Sequence, residues 1–100
     1  MSASGILGAL GLCRRAGKIT MGTTLVKEEM HKGKAALVLL AQDAAKNTED
    51  KVLPLANHKG VPVKRISLTK KELGMAMGKD KEVVCVSVPR EFVNLVLASL

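Results

Sequence analysis

The chain has almost no aromatic residues: no Trp, no Tyr, and a single Phe at position 92 among 100 residues. That scarcity excludes one large class of nucleic-acid binders. RNP-type sheets, cold-shock barrels and single-strand grooves stack bases on Phe, Tyr or Trp. Long apolar runs are also missing. The longest, Ala35 to Ala41, falls well short of the roughly 20 residues a membrane-spanning helix needs. The apolar N-terminus, Met1 to Ala16, has its basic residues Arg14 and Arg15 after the apolar part, the reverse of a secretory signal. Cysteine is scarce as well. Cys13 and Cys85 have no CxxC partner, and with His31 and His58 they offer no metal-ligand spacing. Both thiols read as small buried hydrophobes of a reducing cytoplasm. No metal and no cofactor is expected.

Acidic residues are the last deficit, nine Asp and Glu against sixteen Lys and Arg, for a formal charge of +7. Such an excess suits a polyanion, whose condensed counterions are released on binding. On charge alone, a nucleic-acid partner and a merely basic soluble protein stand level. If the partner is nucleic acid, contact must come from backbone, hydroxyl and cationic groups on a shaped target. The 47% hydrophobic content supports a core, and the length suits one domain spanning residues 1–100.

Helical and extended segments alternate along the chain. Ser4 is placed to cap a first helix, in which Ile6, Leu7, Leu10 and Cys13 recur at helical spacing, and Gly17 is placed to end it. Lys18 to Met21 is extended. A second helix opens at Gly22 and ends at Gly33, with Val26, Met30 and Leu25 as its inner face. AALVLLA, Ala35 to Ala41, is continuously apolar, as expected of a central strand covered on both sides. After a turn at Asp43 to Asn47, a third helix runs from Thr48 to Lys59. Pro54 should kink it or divide it in two. Val61 to Ile66 is a strand. Thr69 and Glu72 form a capping box for a fourth helix, which stops at Gly78. Glu82 to Val88 is a strand, and Pro89 leads into a last helix with Phe92, Val93, Val96 and Leu97 facing inward. The order α-β-α-β-α-β-α-β-α predicts a three-layer α/β/α sandwich around a four-stranded mixed sheet.

No catalytic constellation emerges. Gly5, Gly8 and Gly11 lie within a helix, so they form neither a dinucleotide fingerprint nor a phosphate loop; close helix packing is the expected reason for them. His31 and His58 read as solvated helix ends, and Asp43 as a turn former. The chain is expected not to be an enzyme. The better constellation is AGKITMGTT, Ala16 to Thr24, followed by Lys27. Two glycines, a lysine and two hydroxyls lead into a helix N-terminus, where free N–H groups suit a phosphate or a sharply bent RNA backbone. Equally, Thr23 or Thr24 reads as a simple cap of the helix.

The run RRAGKITMG…VKEEMHKGKAALVLLAQDAAKNT…VPV…TKKELGMAMGK resembles the YlxQ-like bacterial members of the L-seven-Ae/L-thirty-e ribosomal protein family, which bind kink-turn RNA. The resemblance extends from about Leu7 to Phe92. It implies an α/β/α sandwich and three RNA-facing places: the turn and helix start from Gly22 through Thr23 and Thr24 to Lys27; Asp43 to Asn47, with Lys46; and the loop Gly78 to Lys81, with Lys79. Arg14, Arg15, Lys18, Lys27, Lys79 and Lys81 are expected to form one positive face around Gly22. The implied partners are structured RNA, ribosomal RNA or another kink-turn, and ribosomal or translation proteins. A cytoplasmic monomer is expected. The family's usual Gly-x-Asn-Glu signature is altered: Thr24 replaces the Asn, Leu25 replaces the Glu, Met21 stands at the preceding lysine position, and Glu28 replaces the lysine one turn on. These exchanges should weaken specific base readout more than phosphate binding. They leave open a second reading, a protein-interaction or scaffold module of the translation machinery with weak RNA binding.

Overall fold

The computed structural model describes residues 3–100, and side chains from residue 5 onward. The chain forms α1 (Ala3–Arg15), β1 (Thr20–Met21), α2 (Thr23–His31), β2 (Leu37–Leu40), α3 (Lys46–Lys59), β3 (Val63–Arg65), α4 (Lys70–Ala76), β4 (Cys85–Val88) and α5 (Arg90–Ala98). The proposed cap at Ser4 lies outside the described side chains. Gly17 ends α1 in the left-handed conformation, φ +67°.

The sheet order is β1-β4-β2-β3. β2 and β3 are parallel, while β4 runs antiparallel to both β1 and β2. Every residue of β2 and of β4 is buried, which the continuous apolar run of β2 anticipates. α2 packs with α3, and α1 packs with α4 and α5. These two groups cover the two faces of the sheet, giving the expected α/β/α sandwich. Leu10, Met30, Leu37, Leu39, Leu68 and Leu73 fill the core. Cys13 and Cys85 are buried in it as free thiols.

Local chemistry explains several boundaries. The Thr69 hydroxyl accepts from the Glu72 N–H at 3.1 Å, and the Glu72 carboxylate accepts from the Thr69 N–H at 2.9 Å. Each group satisfies a donor that the helix start leaves free. α3 runs unbroken through Pro54, contrary to the expected restart. The proline lies on the exposed face, so water can satisfy the carbonyl it leaves unpaired. Meanwhile Val52 and Ala56 stay buried on the inner face, and their packing outweighs the lost bond. The strands are shorter than the apolar runs suggest, although Ala36, Ala41 and Ile66 just beyond them still donate to the carbonyls of Val88, Val84 and Leu40.

Some inner faces are narrower than the apolar spacing suggests. Leu25, Leu97 and Leu7 are 50%, 41% and 40% exposed, so α2 buries Val26 and Met30, and α5 buries Val96. Phe92 and Val93 are half-buried against the core. Close packing also does not account for Gly8 and Gly11, since a β-carbon at either would meet nothing within 4 Å. The glycine that packing does require is Gly74, where a β-carbon would collide with the Lys81 backbone carbonyl.

Two substitutions separate these cases. Gly74→Ala should destabilise the fold by about 1–3 kcal/mol, as overpacking does. Gly11→Ala should stabilise it by roughly 0.5–1 kcal/mol, because alanine loses less backbone entropy in a helix. Urea denaturation of both variants checks the pair. Equal effects would contradict the packing difference.

Candidate nucleic-acid interface

Strands β1, β2 and β3 run in one direction and β4 in the other. Their carboxyl ends therefore share one end of the sheet with the start of β4. From that end the chain enters α2, α3 and α4. The N-termini of these helices gather there with the positive ends of their dipoles; α2 and α3 have no side-chain cap on their first N–H groups, whereas at α4 the Lys70 and Glu72 N–H groups are taken by Asp43 and Thr69.

The Gly22 turn is fixed to this end by backbone bonds. Its N–H donates to the Cys85 carbonyl at 2.9 Å, and its carbonyl accepts from the Val26 N–H at 2.9 Å. Gly22 precedes α2 with φ 92° and ψ 148°, and no side chain caps the helix. This conformation is open almost only to glycine. A β-carbon there would meet nothing within 4 Å, so the turn is bare on its outer side. The Thr23 hydroxyl lies 4.0 Å from the Cys85 sulfur and points toward the protein. Thr24 and Leu25 are exposed, and Lys27 is half-buried one turn along. Neither threonine caps α2.

The loop from Gly78 to Val84 leads directly into Cys85, the residue that Gly22 contacts. Lys79 and Lys81, both exposed, lie on this loop just before Cys85. Arg14, at the end of α1, reaches the same loop: a β-carbon at Gly78 would lie 2.8 Å from its guanidinium. Lys46 opens α3, exposed and 3.3 Å from Asp50.

The structure does not bring Lys18 to this group. Lys18 lines a cleft with Gly33, Lys34, Pro89 and Arg90, at the far end of the sheet, and faces Glu91 at 3.9 Å. The two strand residues between Lys18 and Gly22 carry it away, so the single positive face expected of all six cations is split. Arg15 is exposed at the end of α1.

Two further residues shape the site. Arg65, at the end of β3, donates to the carbonyls of Ala41, Gln42 and Ala44 at 3.1, 3.0 and 3.2 Å and pairs with Glu49 in the first turn of α3. It thereby satisfies a turn whose carbonyls have no ladder partner. Asp43 accepts from the Lys70 N–H at 2.7 Å, tying the β2–α3 turn to the start of α4. Asp43 is thus a structural turn residue, as read. Arg65 was missed, because its partners are backbone groups more than 20 residues away. Its only sequence signal is a cation at a strand end.

Neither cysteine is an activated nucleophile. Burial pushes the thiols of Cys13 and Cys85 above their ordinary value, 9.0, against smaller opposing hydrogen bonds, so both are neutral near pH 7. No cluster of metal-ligating side chains occurs among the described residues.

Two outcomes follow. Gly22→Val should cost about 1–3 kcal/mol of stability, the range for forcing a side chain into such a conformation; thermal melting reads it, and an unchanged midpoint would mean that the turn relaxes. For the thiols, the folded state holds its protons more tightly than the unfolded chain. Stability should therefore be full below pH 9.0 and decline as pH rises through the raised folded values. The Cys13→Ala, Cys85→Ala double variant should show a shallower decline in denaturation midpoints between neutral and alkaline pH.

The RNA-binding protein YlxQ of Bacillus subtilis is 37% identical over 91 residues, covering 91% of this chain and 90% of that one. The protein of the same name in Enterococcus faecium is 31% identical over 77 residues, 77% of this chain and 74% of its own. Among solved structures, a protein of unknown function from Bacillus halodurans superposes with a TM-score of 0.85 at 32% identity, covering 94% of each chain. The Giardia lamblia 15.5kD RNA binding protein shares the fold, with a TM-score of 0.78 at 24% identity over 97% of this chain and 82% of that one. The model of the ribosomal protein L7Ae/L30e/S12e/Gadd45 family matches residues 5–94. The chain belongs to that family.

Proposed function

We propose that residues 1–100 act as one domain that binds structured, kink-turn-like RNA and associates with the ribosome in the cytoplasm. The contact surface is the end of the sheet where the Gly22 turn, the start of α3 and the Gly78–Lys81 loop meet. The observation that carries this reading is the Gly22 N–H bond to the Cys85 carbonyl. It holds a bare glycine turn and an uncapped helix start beside a loop bearing Lys79 and Lys81. RNA backbone can approach Gly22 closely, with N–H groups and Thr24 as donors and Arg14, Lys27, Lys46, Lys79 and Lys81 around it. Family membership and relatives named as RNA-binding proteins support the same reading. It is one of binding, with no reaction assigned.

The exchange of the family's Asn and Glu for Thr24 and Leu25 acts at this surface. A hydroxyl replaces an amide, and a leucine cannot accept a hydrogen bond from a base edge. Binding should depend more on phosphate contacts than in relatives with the full signature.

A second reading, a protein-contact module with weak RNA binding, draws on Leu97 and Leu100. Both are exposed, and with Ile6 and Ile66 they line a cleft of about 420 Å3. Salt separates the two readings, because only an RNA complex loses affinity in proportion to the phosphates neutralised.

The double variant Thr24→Asn, Leu25→Glu tests the RNA site. Leu25 is half exposed, so the new carboxylate stays in water and suits the first turn of α2. Its affinity for a kink-turn RNA should rise by about 1–3 kcal/mol, the value of a good base-edge contact. The added negative charge opposes non-specific binding, so charge cannot explain a gain. A folded variant showing no preference for a kink-turn over a plain duplex, by fluorescence titration, would refute the kink-turn reading. For the wild-type chain, the affinity should fall steeply with salt.

A further inference from the structure

The sheet end opposite the Gly22 turn is also cationic, and none of the three RNA-facing places that the family resemblance implies lies there. The segments there are those leading into β2 and β3 and out of β4. They enclose a cleft of about 500 Å3, within the roughly 300–1,000 Å3 of small-ligand sites. Ala35, Val61 and Val93 supply apolar walls, with Lys59, Arg90 and Asn94 as the polar lining. No carboxylate lines it. A second cleft, of about 530 Å3, adjoins it through Gly33 and Arg90 and adds Lys18 and Lys34. Of its two carboxylates, Glu91 faces Lys18 at 3.9 Å, and Glu29 accepts from the Thr20 hydroxyl at 3.2 Å through Oε1 while its Oε2 is buried without a partner, so the anion site is placed in the first cleft.

The cations here are free to take a ligand. Among the described residues, Arg90, Lys59 and Lys34 form no ion pair. Lys59 has a structural reason for its place, since it lies in the last turn of α3, where a cation complements the helix dipole. Arg90 has no such reason. It opens α5, where the dipole disfavours a cation. Its guanidinium is also one of the few planar groups in a chain with one aromatic residue, and such planes stack on unpaired bases. Apolar walls, an amide, an arginine and a lysine without a carboxylate match a base with its phosphates. A phosphate alone would leave the apolar walls unused.

We propose that this cleft is a second RNA-contact site, taking one unpaired nucleotide, so that the chain touches RNA at both ends of its sheet. The proposal rests on the reading of the chain as an RNA-binding protein.

The experiment titrates the full, isotope-labelled chain with a single-stranded RNA tetranucleotide and, separately, with a kink-turn hairpin lacking single-stranded ends. The tetranucleotide should shift the amides of Gly33, Gly60, Val61 and Asn94. The hairpin should shift those near Gly22, Lys79 and Lys81. Arg90 and Lys59 are exposed, so the Arg90→Gln, Lys59→Gln variant should fold normally. It should lose about tenfold in tetranucleotide affinity, and its salt slope should fall by roughly 0.7 per removed phosphate contact. Its hairpin affinity should change far less. The Lys79→Gln, Lys81→Gln variant should show the opposite pattern. Hairpin binding with no tetranucleotide shifts in the cleft would overturn this site alone. Loss of both titrations in the wild-type chain would overturn the RNA reading and this site together. Equal displacement of the tetranucleotide by inorganic phosphate or a polyglutamate peptide would also overturn it, since a plain anion would then suffice.

Discussion

The pairing of β4 with both β1 and β2 is the constraint on which the rest of the structure depends. β4 is four residues long and buried throughout, yet it holds two strands of opposite direction to itself. Its buried backbone groups must be paired, because leaving them unpaired in the core costs as much as the bonds are worth. That requirement places Cys85 opposite Leu40 and its carbonyl on the Gly22 N–H. A turn from the first quarter of the chain thus meets a loop from its last quarter, and both meet the end of the central strand.

The same geometry makes the two ends of the sheet chemically different. At one end, α2, α3 and α4 begin, and their N-termini face the solvent with little side-chain capping on α2 or α3. At the other, α2 and α3 end, and their terminal carbonyls are taken by backbone N–H groups such as those of Gly33, Lys34 and Val61. The first end attracts anions through backbone and dipole together. Any anion binding at the second end depends on side chains, chiefly Arg90 and Lys59. This difference in origin lets one basic chain present two separate cationic surfaces.

Elements with their own local chemistry were legible in the sequence. The Thr69–Glu72 capping box, the left-handed Gly17 and the continuous apolar run of β2 each depend on groups close in the chain. The sequence misleads where neighbours outside the element decide. Pro54 lies inside an intact α3 because Val52 and Ala56 anchor the inner face. Leu25 and Leu97 fit an apolar helical stripe, but no partner element covers them. Gly8 and Gly11 suggest close packing where nothing approaches, while Gly74 is pressed against the Lys81 carbonyl. Spacing along a helix defines a face but cannot say how wide a strip its neighbours will cover.

By itself the sequence determined the charge, the absence of stacking aromatics, the order of elements, and a glycine turn leading into a helix. These are properties of composition and of contacts within a few residues. Only the tertiary structure decided which cations meet. Arg14 reaches the Gly78 loop, whereas Lys18, four residues away in sequence, is carried to the opposite end by the extended segment between Gly17 and Gly22. Arg65 and Asp43, which tie the β2–α3 turn to β3 and α4, act across more than 20 residues. The reason is that strand direction in the sheet, set by long-range backbone pairing, decides the end to which each loop belongs.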